Sequence, residues 1–207
     1  EGGGSNPKPL AVIDMSKYKE YMEMGLTEER YFQMMKSFDN NEEFIDEAIE
    51  AQNNLLCGYY GNDKANKKKL EELKKPTNAA ISLAGEPTLY PKIDELIGEF
   101  NRRNFTTFIV SNGQCTDRLA NLENDPYQLY LSLDAPNEKI FNEVCRPRIS
   151  DAWSNLNESL EILSSFKSRT CIRNTCVKGR NMQYVEEYAK LIEKANPDYV
   201  EIKAYMC

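Results

Sequence analysis

From about residue 78 onward, the apolar positions of the chain switch between two periods. Short β-rich runs stand at Ala79–Leu83, Thr106–Ser111, Leu129–Leu133, Thr170–Val177 and Tyr199–Ile202. Helical spacing fills the gaps between them. Ile93, Leu96, Ile97 and Phe100 follow the i, i+3, i+4, i+7 rule, with Pro91 suited to a first turn. Ile140, Phe141 and Val144 make a shorter face. Trp153, Leu156, Leu160 and Leu163 make a longer one that Ser150 and Asp151 can cap, and Met182, Val185, Ala189 and Ile192 repeat the pattern behind Asn181. Strand alternating with helix, with few hairpin signals, predicts crossover connections and a parallel sheet.

Phe44, Ile45, Ala48, Ile49, Leu55 and Leu56 line one side of a further helix ahead of the first run. A helix in that place implies a strand upstream of it. The expected fold is therefore α/β, a partial (βα)6 TIM-like barrel with parallel strands, whose first strand and following loop are missing from this sequence. Residues 1–40 are expected to be a flexible lead and helical extension, and residues 41–207 an incomplete core domain. The lysines at 67–69, 74 and 75 are expected to face solvent in a polar connection, with tRNA contact as the lesser reading.

Composition narrows the chemistry. The 207 residues include 41% hydrophobic and 29% charged positions, enough apolar matter for a core, and carry a net charge of −7. A surface coated with nucleic acid is not expected, although local basic patches are compatible with that balance. There is no histidine. Histidine-based hydrolases, histidine zinc sites and imidazole acid–base catalysis are excluded. Six cysteines, at 57, 115, 145, 171, 176 and 207, include no CxxC pair, and no signal peptide is visible. Reduced cytoplasmic thiols are the expectation. No apolar run reaches membrane-spanning length.

The polar residues on the strands are the candidate site. Side chains two apart share a face of a strand. Ser132 thus joins Asp134, Arg173 joins Thr175, and Glu201 joins Lys203, while Asn112 closes another strand and Glu86 follows the first one. Ligands of parallel α/β folds sit at the carboxyl ends of strands. Charged groups there are costly to bury unless paired, so Arg173, Glu201 and Lys203 either pair among themselves or serve a ligand. Gly85-Glu86-Pro87 adds a glycine that admits close approach, a proline that fixes the turn, and a carboxylate able to accept from an ammonium group.

Over Phe44–Cys207, the stretches AAISLAGEPTLYPKIDELI, FTTFIVSNGQ, QLYLSLDAPN with CRPRI, RTCIRNTCVKGRN and LIEKANPDYVEIKAYM resemble the radical S-adenosylmethionine superfamily. SLAGEPTLYP and ANPDYVEIKAYM resemble, more narrowly, its tRNA wyosine-synthesising branch, the 4-demethylwyosine synthases. The resemblance implies a 4Fe–4S cluster and S-adenosylmethionine as cofactors. Gly85, Glu86 and Pro87 would bind the methionyl amino group. Ser132 and Asp134 would lie near the ribose, and Arg173 and Thr175 would face the methionyl carboxylate or the adenine. Asn112, Glu201 and Lys203 carry over by strand position alone. The implied lyase reaction cleaves S-adenosylmethionine reductively to a 5′-deoxyadenosyl radical. It then condenses 1-methylguanosine of phenylalanine tRNA with pyruvate to give 4-demethylwyosine, in wybutosine biosynthesis, with an electron donor as further partner.

The sequence departs from that branch at one decisive place. No CxxxCxxC motif is present, so no residue of this chain is assigned as a metal ligand and none as catalytic; the sequence alone is expected to be inactive. Eukaryotic members of that branch carry an upstream FMN domain, so the resemblance admits FMN as a further cofactor held outside this sequence. Two other readings stand beside the enzyme core. One is a non-catalytic tRNA-binding relative; the other is an iron-free barrel lyase using Lys203 or Lys178 as a Schiff-base amine. For tRNA, Arg102, Arg103, Arg146, Arg148, Arg169 and Arg180 are candidates for a phosphate-binding rim. Surface ion pairing is the preferred reading of Arg102 and Arg103.

Overall fold

The structure is a computed structural model and describes residues 40–82 and 85–205. The lead and extension expected over residues 1–40 fall, but for Asn40, outside the described residues, as do Leu83 and Cys207. The core is a single sheet of five parallel strands whose spatial order follows the chain: β1 (Asn78–Ile81), β2 (Thr106–Ser111), β3 (Gln128–Ser132), β4 (Arg169–Cys176) and β5 (Tyr199–Ala204). Sequential order with every pair parallel is what right-handed βα crossovers produce, and it is consistent with the expected partial TIM-like barrel.

Helices α1 (Asn41–Leu56) and α2 (Lys67–Leu73) precede β1, and α3 (Ile93–Arg102), α4 (Thr116–Ala120), α5 (Glu138–Val144), α6 (Ala152–Leu163) and α7 (Val185–Ala195) supply the crossovers. They cover one face of the sheet. There Ile109, Leu129, Leu131, Leu133 and Ile172 are fully buried against Ile97, Phe100, Leu156, Leu160 and Leu163. Each such aliphatic side chain stabilises the fold by roughly 1.5–3 kcal/mol on burial. The period-2 burial of β2 and β3 follows from this: odd-numbered residues of β3 meet helices, and even-numbered ones face the other way.

Several elements differ from the sequence expectation. The lysine-rich connection contains a helix, α2. Three lysines in its first turn oppose the helix dipole, which hides it from a sequence reading. Asn66 restores the N-terminus by accepting from the Lys69 N–H at 3.1 Å. Asn137 caps α5 in the same way, through the Ile140 N–H. Asp151 stands at the N-cap of α6 but makes no side-chain cap bond. Helix α7 begins at Val185, not directly behind Asn181, and Met182 and Val185 are exposed. Its packed face is Tyr188, Leu191, Ile192 and Ala195. In α1, Ile45 is buried, Ile49 packs on the core, and Leu55 lies open to solvent.

Candidate functional site

Cross-strand register decides which polar residues meet. Ser132 of β3 is level with Arg173 of β4, and Arg173 is level with Glu201 of β5. One step further along, Thr175 is level with Lys203. The Asp134 carboxylate reaches across to accept the Thr175 N–H at 2.6 Å. Six of the ten expected residues therefore gather on the face opposite the described helices, from the middle to the carboxyl ends of three adjacent strands.

Within this group Arg173 is under-satisfied. One Nη approaches the Glu201 carboxylate at 3.5 Å, and the guanidinium lies 5.9 Å from the centre of the Tyr130 ring. Its Nε–H is buried and has no hydrogen-bond partner in the described structure. An unpaired buried donor on a cation costs of order 1–3 kcal/mol, and a carboxylate or other anionic ligand group would recover it. Burial raises the Asp134 pKa above the usual aspartate value. The Thr175 N–H and hydroxyl, and the positive charges of Lys203 and Arg173, offset part of that rise.

At β1 the arrangement is the reverse. Glu86 Oε1 accepts from the Thr88 N–H (3.1 Å), the Thr88 hydroxyl (2.6 Å) and the Ser111 hydroxyl (2.8 Å); Oε2 accepts from the Asn112 N–H (2.6 Å). The carboxylate caps the 3₁₀ turn Pro87–Leu89, whose first residue is the proline. Gly85 enters this turn at φ +86°, a conformation that disfavours any side chain. The motif thus holds a carboxylate rigidly, as expected, with Oε2 keeping acceptor capacity for a ligand. Asn112 contributes through its backbone. Its side chain is exposed and accepts from the Gln114 N–H.

Sequence reasoning missed Thr88 and Ser111, both fully buried, which fix Glu86. The signal was available: a hydroxyl residue two positions after a capping carboxylate is a common turn device. Gly113 was also passed over. It sits at φ +73°, where a Cβ would lie 2.9 Å from Leu131 Cδ1.

The arginines do not form one rim. Arg102 and Arg103 are engaged by Glu99, Glu42 and Asp46, the ion-pairing preferred for them. Arg169 opens β4, at the strand end opposite the site, and engages Tyr127. Arg146, Arg148 and Arg180 are exposed in the connections that follow β3 and β4. Among the described residues no three histidine, cysteine or acidic side chains meet as a metal site, and the described cysteines are free thiols. None of the described helices is long and apolar enough to cross a membrane.

The sequence profile described as the radical SAM superfamily matches residues 58–192. A tRNA 4-demethylwyosine synthase of Pyrococcus abyssi is 47% identical over 177 residues, which cover 84% of this chain and 52% of that protein. A human 4-demethylwyosine synthase, TYW1, is 33% identical over 165 residues, 80% of this chain and 22% of its own. Among solved structures, a TYW1 with a lysine–pyruvate adduct bound aligns with TM-score 0.76 at 37% identity, covering 82% of this chain and 56% of that one. An archaeal TYW1 crystal structure aligns with TM-score 0.72 at the same identity, covering 82% and 58%. The chain spans about half the length of the archaeal relatives it matches. Profile, relatives and sheet agree, and the chain belongs to the radical SAM superfamily.

Proposed function

We propose that this chain forms the S-adenosylmethionine-binding half of a 4-demethylwyosine synthase, a lyase condensing 1-methylguanosine of phenylalanine tRNA with pyruvate. The observation that carries this reading is the row Ser132–Arg173–Glu201, with its unpartnered Arg173 Nε–H and the half-buried Asp134 close by, in a chain 47% identical to an archaeal 4-demethylwyosine synthase.

The residues fit S-adenosylmethionine. Arg173 would take the methionyl carboxylate, satisfying Nε and replacing its loose contact with Glu201. Glu86 Oε2 would accept from the ammonium, and the open backbone at Gly85 lets that group come close. Asp134 and Ser132 would accept from and donate to the ribose hydroxyls, while Thr175 keeps the carboxylate of Asp134 in place. Held beside a reduced 4Fe–4S cluster, S-adenosylmethionine supplies an organic radical. The described residues do not supply ligands for that cluster. This half of the protein binds and orients; Tyr130 and the apolar strand residues beneath the row limit water. Arg146 and Arg148, exposed in the connection between α5 and α6, are the phosphate contacts we assign to the tRNA.

The test uses the protein carrying this chain, purified anaerobically from its own cells. It is incubated with S-adenosylmethionine, dithionite, pyruvate and phenylalanine tRNA bearing 1-methylguanosine, and products are read by mass spectrometry. The tricyclic base together with 5′-deoxyadenosine is the expected outcome. 5′-Deoxyadenosine without the base would replace the substrate assignment, and neither product would overturn the whole reading. Reversing both charges, Arg146→Glu with Arg148→Glu, should weaken tRNA binding and lower its salt slope by about two; an unchanged slope removes them from the interface.

A further inference from the structure

Strands β3 and β4 part company just beyond the sheet. The final backbone bond between them runs from the Leu133 N–H to the Arg173 carbonyl, at 2.9 Å. Past that point the ladder stops, and the carbonyls of Asp134 and Thr175 need other partners. Asn181 replaces it. Its side-chain amide donates to the Asp134 carbonyl at 2.7 Å and to the Thr175 carbonyl at 2.8 Å. Its Oδ1 accepts the Val177 N–H at 2.7 Å. Both N–H donors and the carbonyl oxygen of this fully buried side chain are thus engaged. The turn that brings Asn181 back over the strand ends passes through Gly179 at φ +74° and is closed by the Arg180 N–H on the Val177 carbonyl.

The two carbonyls belong to the two residues joined by the Asp134–Thr175 bond. We propose that Asn181 is a positioning residue for the nucleoside end of S-adenosylmethionine. Its amide acts as an extra rung between the diverging strands, fixing the Asp134 carboxylate and the Thr175 backbone at the spacing the ligand requires. The inference rests on the ligand assignment made above. A side-chain amide suits this task because it donates twice from one planar group. An isosteric carboxylate in its place would aim oxygen at two carbonyl oxygens.

The structure supplies its own control. Asn174, one of the buried residues of β4, donates its amide to the Leu133 carbonyl at 2.7 Å, the same kind of rung on the helix-covered face. Asn181→Asp and Asn174→Asp are compared in the anaerobically purified protein. S-adenosylmethionine affinity is measured by equilibrium dialysis, melting by circular dichroism, and exchange of the Thr175 amide proton by NMR. Loss of two donors at Asn181 should weaken S-adenosylmethionine about tenfold or more and accelerate Thr175 exchange. The variant at Asn174 should melt earlier while binding as the parent does. Asn181→Ser, which keeps one donor, serves if the aspartate variant does not fold, and should fall between parent and aspartate behaviour. Equal affinity in the parent and the Asn181 variant overturns the inference while leaving the ligand assignment intact. No binding by the parent overturns the ligand assignment, and the inference with it.

Discussion

The two ends of the site solve opposite problems. At β1 a carboxylate is tied up by its own chain: Glu86 accepts four hydrogen bonds from Thr88, Ser111 and Asn112. At β4 a guanidinium is left wanting, with a buried Nε–H unpaired and a loose contact to Glu201. The first arrangement spends ligand-binding capacity on local order. The second keeps a polar group out of water at a cost in stability, as binding sites do when their partner is to come from outside. Substitutions at Glu86 should therefore be felt mainly in folding, and those at Arg173 mainly in binding.

Four substitutions sharpen or break that contrast. The largest effect belongs to neither end: Leu131→Ala on the covered face should cost about 2–5 kcal/mol in urea unfolding, with ligand affinity retained by the folded fraction. Arg173→Ala should lower S-adenosylmethionine affinity by about a hundredfold, measured by calorimetry, while the melting temperature moves little. Arg173→Lys should fail to restore it, since an ammonium cannot reproduce the forked donors. An equal loss of Tm and affinity in Arg173→Ala would erase the difference between the ends. Glu86→Gln places an amide among donors and should destabilise by about 2 kcal/mol in thermal unfolding, ahead of any change in affinity.

The smallest effect concerns pH. Burial raises the folded pKa of Asp134 above its unfolded value. The folded state therefore holds this proton more tightly, and the associated stability is present at low pH and lost as pH rises through the folded pKa. Asp134→Asn retains an acceptor for the Thr175 N–H without the charge. It should melt about 2 °C higher than the parent at pH 7, with the advantage vanishing below the ordinary aspartate range, while S-adenosylmethionine binding weakens. A variant less stable than the parent at pH 7 would show that the ionised form is held favourably.

Much of this was legible in the sequence because the sheet obeys a strict alternation. Leu129, Leu131 and Leu133 against Tyr130, Ser132 and Asp134 fix both faces of β3 without coordinates, and the observed strand limits differ from the expected ones by a residue or two. Register then brings Ser132, Arg173 and Glu201 together, which sequence offers only as parity on separate strands. The failures have physical causes. Leu55 completes a helical stripe, yet it stands 79% exposed. Helix α2 starts with three lysines, and its cap outweighs a dipole penalty that argues against it. Asn181 reads as a helix start because asparagine is a good cap, whereas its amide is spent on the backbones of two strands.

Spatial strand order equal to chain order has a consequence for how the molecule comes into being. As the polypeptide leaves the ribosome, each new strand from β2 to β5 meets a neighbour already made, one crossover earlier. None must wait for a distant partner, so the loop to be closed at each step stays short and the sheet can grow in the direction of translation.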